Sequence, residues 1–296
     1  MQFAIPVAIV VGIGLLSGVI LTVAAKFMAV QEDERAIEIT GLLPGANCGA
    51  CGFAGCADYA AALAADGSIA TNLCTPGGNS VAMALSEFLG IEFEGAQAKV
   101  AIVKCSGTRE KTNYAMDYQG YQNCTANKLF YRGRGSCAKA CLGFGDCVKV
   151  CDYGAIYIEN GIAVVNRERC VGCGACAKVC PNKLIEIVPD NMRVVVGCSS
   201  VDKGSVTKDL CSIGCIACML CEKACKFDAI HVIDNHAVID YTKCTNCTLC
   251  VKACPVKVIH LHPKKKGALK EKPKVKEKPL GEITAKAAEE APVSEE

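Results

Sequence analysis

Residues 170–181 read CVGCGACAKVCP, and residues 244–255 read CTNCTLCVKACP. Each stretch has cysteines at its first, fourth, seventh and eleventh positions and ends in proline. Both belong to a longer repeat, in which eight cysteines recur in register at an offset of 74 positions. The first copy contains Cys137, Cys141, Cys147, Cys151, Cys170, Cys173, Cys176 and Cys180, and the second contains Cys211, Cys215, Cys221, Cys225, Cys244, Cys247, Cys250 and Cys254. This repeat decides the fold, because cysteines at such intervals direct their sulfurs toward one site.

The spacing favours iron–sulfur clusters over the two other common uses of cysteine. A disulfide framework does not need runs of cysteines two residues apart, and structural zinc usually takes two separated pairs. The C-x2-C-x2-C-x3-C-P run is instead typical of bacterial ferredoxins, in which the fourth cysteine ligates the neighbouring cluster. With 24 cysteines in the chain, we expect about five [4Fe–4S] clusters, and the sequence leaves a sixth open.

Length and charge limit the remaining possibilities. At 296 residues the chain is long enough for two or more domains. The net charge is only +2, there is no Trp, and no basic stripe is present, so nucleic acid is not an expected partner. We find no sequence motif for nucleotide or flavin binding and no catalytic residue set. The sequence therefore predicts an electron carrier.

The two ends of the chain differ from its centre. Residues 3–25 contain no charged side chain, which predicts one transmembrane helix within residues 1–30; a cleaved signal peptide is the alternative. Lys26 and Arg35 follow this run, which favours a single-pass protein in the cytoplasmic membrane with its bulk on the cytoplasmic side. Residues 263–296 are rich in Lys, Glu, Pro and Ala, and we predict a disordered tail.

A second type of cysteine segment follows the N-terminal helix. Residues 41–56 read GLLPGANCGACGFAGC, and a further cysteine stands at position 74. Its glycines allow the backbone to fold closely around a cluster. We predict a small helical domain over residues 31–95, with helices near 58–65 and 81–89, whose ligands are Cys48, Cys51, Cys56 and Cys74.

Each copy of the repeat also predicts a β-hairpin between its cysteine runs. In the first copy Asn160-Gly161 joins two β-type runs, and in the second Asp234-Asn235 lies at the same point. The predicted fold class is therefore α+β, with ferredoxin-like modules at residues 96–190 and 191–262.

The second module contains a complete set of ligands. Crossed ligation assigns Cys215, Cys218, Cys221 and Cys254 to one cluster, and Cys225, Cys244, Cys247 and Cys250 to the other. In the first module the same rule assigns Cys151, Cys170, Cys173 and Cys176 to one cluster. The other lacks a ligand, because Phe144 occupies the position that Cys218 holds in the second copy. We expect Cys137 to replace it and to complete the set Cys137, Cys141, Cys147 and Cys180.

Four cysteines then have no assigned role, namely Cys105, Cys124, Cys198 and Cys211. Cys105 and Cys198 follow similar sequences, AIVKCS and VVVGCS, which suggests that they end equivalent strands. Buried free thiols and a sixth cluster are both open interpretations of these residues.

The segment LPGANCGACGFAGC with Cys74 resembles the four-cysteine iron–sulfur domain of Rnf B subunits and of some corrinoid iron–sulfur proteins. Together with an apolar N-terminal helix and tandem ferredoxin modules, the chain resembles the B-subunit family of Rnf complexes over almost its whole length. The resemblance implies an ion-translocating ferredoxin:NAD oxidoreductase complex in which this subunit accepts electrons from soluble reduced ferredoxin and passes them to membrane redox subunits. A membrane-tethered polyferredoxin that serves another oxidoreductase, or a complex that reduces a redox-sensing regulator, is the alternative.

Overall fold

The computed structural model describes residues 4–27, 33–129 and 132–263, and within the first helix it describes the side chains of residues 11–24 and 26. That helix, α1, covers Ala4–Phe27. No helix among the described residues combines the length and the apolar character that a membrane crossing requires, so the predicted spanning helix is not supported. The predicted disordered tail lies outside the described residues beyond residue 263.

The first cysteine segment folds into a small helical unit. Its helices pack around a buried core of Ile39, Tyr59, Leu63 and Leu85. The Tyr59 hydroxyl donates a hydrogen bond to the Ala70 carbonyl, which ties the loop before Cys74 to this core. The helices are α2 (Glu34–Leu42), α3 (Cys56–Ala65) and α4 (Gly78–Leu89).

The first ferredoxin-like module consists of two antiparallel strand pairs and short helices that begin beside cysteines. One pair joins distant parts of the chain, and the other is the predicted hairpin, in which Asn160 and Gly161 have φ of 48° and 84°. Those values explain why Asn-Gly stands at this turn. The elements are β1 (Lys99–Val103), α5 (Cys124–Leu129), α6 (Asp146–Lys149), β2 (Ile156–Glu159), β3 (Ile162–Val165), α7 (Ala175–Val179) and β4 (Ile185–Pro189), with β1 paired to β4.

The second module has the same plan with one different helix. Its hairpin turns at Asp234-Asn235, where both residues again have positive φ. Cys105 and Cys198 do follow equivalent strands, β1 and β5, as the sequence suggests. The elements are β5 (Val194–Val196), α8 (Gly204–Leu210), α9 (Leu220–Lys223), β6 (Ile230–Ile233), β7 (His236–Ile239), α10 (Leu249–Ala253) and β8 (Ile259–Leu261), with β5 paired to β8.

The two modules are packed against each other. The Ser106 amide donates to the Gly197 carbonyl (2.8 Å), and the Ser212 amide donates to the Lys111 carbonyl (2.8 Å). Tyr241 packs against the hydrophobic cores of both modules. The mixture of helices and antiparallel strands agrees with the predicted α+β class, whereas the domain boundaries themselves remain predictions.

Candidate iron–sulfur sites

The four-cysteine unit brings its predicted ligands together. Cys48, Cys51, Cys56 and Cys74 line one cavity, with Pro44, Pro76 and Tyr59 around it. The Asn47 side chain orders this loop, because its Oδ1 accepts a hydrogen bond from the Cys56 amide (2.8 Å) at the start of α3. Cys48, Cys51 and Cys56 lie near enough to Cys74 to raise its pKa, after the larger effect of burial.

The second module also has its cysteines in the predicted sets. Cys225, Cys244, Cys247 and Cys250 line one cavity. In the other set, the charges of Cys215, Cys218 and Cys254 contribute to a raised Cys221 pKa, and burial is the main cause. Cys218 and Cys247 are the two exposed cysteines among the described residues, so each site of this module has a ligand at the surface.

The first module has one set as predicted and one that differs. Cys151, Cys170, Cys173 and Cys176 line a single cavity. The second cavity is lined by Cys124, Cys141, Cys147 and Cys180. The structure does not bring Cys137 to this site. Cys124 lies there instead, and Cys137 lines a separate cavity with Cys105, Cys198 and Cys211.

A longer connection in the first module explains why Cys124, and not Cys137, lies in this cavity. Cys105 lies 36 positions before Cys141, whereas the equivalent Cys198 lies only 17 positions before Cys215. The additional chain contains α5, and Cys124 is its first residue. Phe144, at the position of the missing ligand, packs its ring edge-on against Tyr118 and beneath the Arg134 guanidinium.

Asp146 fixes the start of this inserted helix. Its Oδ2 accepts hydrogen bonds from the amides of Cys124 (3.0 Å) and Thr125 (3.2 Å). These amides have no partner within the helix, because the first turn of a helix leaves its N–H groups free. Asp146 therefore positions Cys124 beside Cys147, which is the next residue in α6. The difference of 36 against 17 positions is the sequence signal that points to this segment.

Several backbone amides donate to cysteine sulfurs. The Ala155 amide donates to Cys151 Sγ (3.3 Å), and the Ala229 amide donates to Cys225 Sγ (3.4 Å) at the equivalent position. The Leu184 amide donates to Cys180 Sγ (3.4 Å). Hydrogen bonds of this kind favour the thiolate form and are one way in which a protein adjusts a cluster potential.

Burial has the opposite effect on six other thiols. It raises the pKa of Cys105, Cys147 and Cys176 to about 12, and that of Cys198, Cys221 and Cys250 to about 11. A buried thiolate needs positive charge nearby, because its own charge is poorly solvated. Iron ions supply that charge, so the donor chemistry of these cavities fits a cluster.

The cavities do not converge on a single ion. Across the part of the chain that the structure describes, no group of three or more His, Cys, Asp or Glu side chains is arranged to hold one metal ion. In a [4Fe–4S] cluster each iron takes one of four thiolates, so the sulfurs surround a volume instead of meeting at one atom. Four of the cavities are each lined by four cysteines.

The four-cysteine unit contacts the first module. Lys178 Nζ, at the end of α7, donates a hydrogen bond to the Cys48 carbonyl (2.7 Å). The charge of Cys48 contributes to a raised Cys173 pKa, after burial and ahead of Cys151 and Cys170. Burial raises the pKa of Tyr153 to about 12, with smaller contributions from Cys173 and Cys48. The Cys48 and Cys173 sites are therefore neighbours.

Family models of iron–sulfur domains match three parts of this chain. Family models described as "Putative Fe-S cluster", "4Fe-4S binding domain" and "4Fe-4S dicluster domain" match residues 43–76, 141–155 with 163–186, and 214–258, respectively. The chain is 40% identical, over 81% of its length and 90% of the relative's, to the B subunit of the ion-translocating oxidoreductase complex of Methanosarcina acetivorans.

Two further relatives have more specific names. The B subunit of the Na⁺-translocating ferredoxin:NAD⁺ oxidoreductase complex of Acetobacterium woodii is 43% identical over 81% of this chain and 72% of its own. The B subunit of the proton-translocating ferredoxin:NAD⁺ oxidoreductase complex of Clostridium ljungdahlii is 37% identical over 78% of this chain and 82% of its own. On these identities and coverages, the chain belongs to the B-subunit family of ion-translocating ferredoxin:NAD⁺ oxidoreductase (Rnf) complexes.

Proposed function

We propose that this protein accepts electrons from reduced soluble ferredoxin and passes them, through a row of iron–sulfur sites, to other subunits of an Rnf complex. The observation that carries the proposal is the contact between neighbouring cysteine sets. The Cys48 set adjoins Cys173, and within the first module the Cys176 charge contributes to the raised pKa of Cys147 in the other set. Cysteines of both sets in the second module pack in the same hydrophobic core.

We assign five of the sites to [4Fe–4S] clusters. Bound clusters supply reversible one-electron oxidation and reduction, and the protein holds them by thiolates and amide hydrogen bonds. The assigned ligands are the three sets Cys48, Cys51, Cys56 and Cys74; Cys124, Cys141, Cys147 and Cys180; Cys151, Cys170, Cys173 and Cys176; and the two sets of the second module, Cys215, Cys218, Cys221 and Cys254, and Cys225, Cys244, Cys247 and Cys250.

The donor is proposed to dock on the second module. Its two exposed cysteine ligands, Cys218 and Cys247, provide short routes for an electron to enter from solvent. Apolar side chains beside these ligands are also exposed, with Phe227 at 47% and Met219 at 50%. Exposed apolar groups beside polar surface are common where proteins meet.

The acceptor end is proposed to lie at the membrane. In α1 the side chains of Val11, Ile13, Leu15, Leu16, Val19, Ile20, Leu21 and Val23 are exposed, and Lys26 follows them. Such an apolar surface needs cover from lipid or from a partner helix. Because the Cys48 unit follows α1 in the chain, it would pass electrons to the membrane redox subunits, with the bulk of the chain on the cytoplasmic side.

Membrane association can be tested by alkaline extraction of membranes that contain either the full chain or a chain without residues 1–32. We expect the full chain in the pellet and the truncated chain in the supernatant. Recovery of both chains in the same fraction would contradict a role for α1.

The relay is tested by reducing purified complexes with ferredoxin under anaerobic conditions and following NAD⁺ reduction. A Cys51→Ala variant should lose ferredoxin-dependent NAD⁺ reduction, while the clusters of the two modules are still reduced and bleach as in the parent. Undiminished NAD⁺ reduction would show that the Cys48 unit is not in the path.

A further inference from the structure

Four cysteines outside all segments matched by family models meet between the two modules. Cys105, Cys137, Cys198 and Cys211 line one cavity. Cys105 and Cys137 come from the first module, and Cys198 and Cys211 come from the second. The cavity therefore exists only when the modules are packed together.

Local structure holds each of these cysteines in place. Cys105 follows β1, which is paired to β4, and Cys198 follows β5, which is paired to β8. Cys211 is the C-cap of α8, where its amide donates to the Thr207 carbonyl (2.9 Å). The Ala140 amide donates to the Cys137 carbonyl (3.0 Å), which closes a turn at that residue.

Hydrogen bonds between the modules surround the cavity. The Asn113 amide donates to the Leu210 carbonyl (3.1 Å), immediately before Cys211. On the opposite side, the Ser199 hydroxyl donates to the Lys104 carbonyl (3.2 Å), so the residues next to Cys198 and Cys105 are joined. Gly107 approaches both thiols closely, because a Cβ at this residue would lie 3.4 Å from Cys211 Sγ and 3.8 Å from Cys105 Sγ.

The cavity lies beside one assigned site in each module. The Cys141 amide donates a hydrogen bond to Cys105 Sγ (3.4 Å), and Cys141 is a ligand of the Cys124 set. The Cys215 amide is hydrogen-bonded to the Cys198 sulfur, and Cys215 is a ligand in the second module. The four thiols thus stand between the last site of one module and the first site of the other.

We propose that Cys105, Cys137, Cys198 and Cys211 hold a sixth [4Fe–4S] cluster, which joins the two modules into one conducting row. The 24 cysteines then divide into six sets of four, with none left over. The bridging role depends on the proposed relay function, but the site itself does not. In that role, one electron passes from a site of the second module to the bridging site, so that the former is oxidised and the latter is reduced. The bridging site then passes the electron to the Cys124 set and is oxidised again.

The site is tested by counting iron and acid-labile sulfide in the full chain after anaerobic reconstitution. Six clusters require about 24 of each per chain, and five require about 20. The parent count, with Mössbauer spectroscopy to identify the iron, tests the site without any variant. A parent with about 20 irons and four titratable thiols, with a Cys105–Cys198 disulfide, or with zinc at these residues would overturn the proposal.

Variants test which residues form the set. Cys198→Ala should remove about four irons, and the double change Cys105→Ala with Cys198→Ala should remove no more, because both belong to one cluster. Cys124→Ala with Cys198→Ala should remove about eight. Ser212→Ala, which loses a side-chain contact to the Lys111 carbonyl but no ligand, serves as the control and should keep the parent count.

The electron-transfer role has a separate readout. In the Cys198→Ala chain, rapid-freeze EPR should show that ferredoxin reduces the second module normally, whereas reduction of the first module slows at least tenfold. If the variant loses about four irons but its first module is reduced at the parent rate, the cluster site is supported and its bridging role is contradicted. If reduced ferredoxin does not reduce the clusters of the parent chain, the proposed function is rejected, but the iron count still tests the sixth site.

Discussion

The two ferredoxin-like modules share a cysteine pattern but differ in what surrounds it. In the first module, Tyr153 and Lys178 face the four-cysteine unit. Phe227 of the second module, the equivalent of Tyr153, is 47% exposed, and Lys252 is the equivalent of Lys178. The first module therefore lies between the four-cysteine unit and the second module, and the second module has an exposed apolar side chain beside one of its cysteine sets.

Their ligands differ in the same sense. The second module has all eight of its proposed ligands in its two cysteine runs, whereas in the first module the proposed ligand Cys124 comes from an inserted helix. A ligand in a run is placed by local backbone geometry, but Cys124 depends on the packing of α5 against α6. We therefore expect substitutions outside the cysteine runs to weaken cluster binding more in the first module than in the second.

The largest expected effect comes from removing the inserted ligand. Cys124→Ala should lower the iron content by about four atoms per chain, because the site retains only three thiolates. Adding Phe144→Cys, which restores the ligand position of the second module, should recover iron and the EPR signal. Iron analysis with EPR checks both variants, and a full iron complement in Cys124→Ala would contradict the assignment.

A smaller effect is expected at the carboxylate that holds α5. Asp146→Ala removes the acceptor of the part-buried Cys124 amide and of the exposed Thr125 amide, at a cost of about 1 kcal/mol. We expect iron release to a chelator to become several-fold faster at one cluster, with the others unchanged. Asp117→Ala, whose carboxylate accepts from the exposed Gln119 side chain, is the control. Equal release rates in the two variants would remove the special role of Asp146.

The contact between the four-cysteine unit and the first module is tested by paired lysine variants. Lys178→Ala removes the hydrogen bond to the Cys48 carbonyl, and Lys252→Ala is its repeat counterpart without that contact. An exposed interaction of this kind contributes about 1 kcal/mol. We expect about fivefold faster hydrogen exchange at residues 48–56 in Lys178→Ala, with Lys178→Arg close to the parent. The same increase in Lys252→Ala would contradict the contact.

The smallest effect is expected at the exposed face of the second module. Phe227→Ser should raise the KM for reduced ferredoxin about threefold and leave kcat unchanged, because only docking is weakened. Tyr157, which is 45% exposed on the first module, gives the matched control in Tyr157→Ser. An unchanged KM in Phe227→Ser, or an equal rise in both variants, would place the docking site elsewhere.

Much of the fold can be predicted from short stretches of sequence. The hairpin at Asn160-Gly161 follows from the backbone preferences of two residues, and its observed φ values agree. The ligand sets in the four-cysteine unit and the second module likewise follow from spacing, because their cysteines are close in the chain or crossed by a known rule. The extent of α3 and α4 was also predicted to within three residues at each end.

The exchange of Cys124 and Cys137 shows where that reasoning ends. Cys137 is the nearer cysteine to Cys141 in sequence, but its turn directs it into the cavity shared with the second module. Proximity along the chain was therefore misleading, and the longer connection in the first module was the more informative feature.

Repeated cysteine spacings and turn residues act over a few positions, so the sequence alone predicts that this protein binds several iron–sulfur clusters. The packing of the chain, however, is what places Cys124 in the cavity of Cys141, Cys147 and Cys180, and what brings Cys105, Cys137, Cys198 and Cys211 to one cavity. Those sulfurs come from segments up to about one hundred residues apart, and the packing of the modules brings them together. No local pattern encodes that packing, because it depends on strand pairs, cross-module hydrogen bonds and buried side chains acting together.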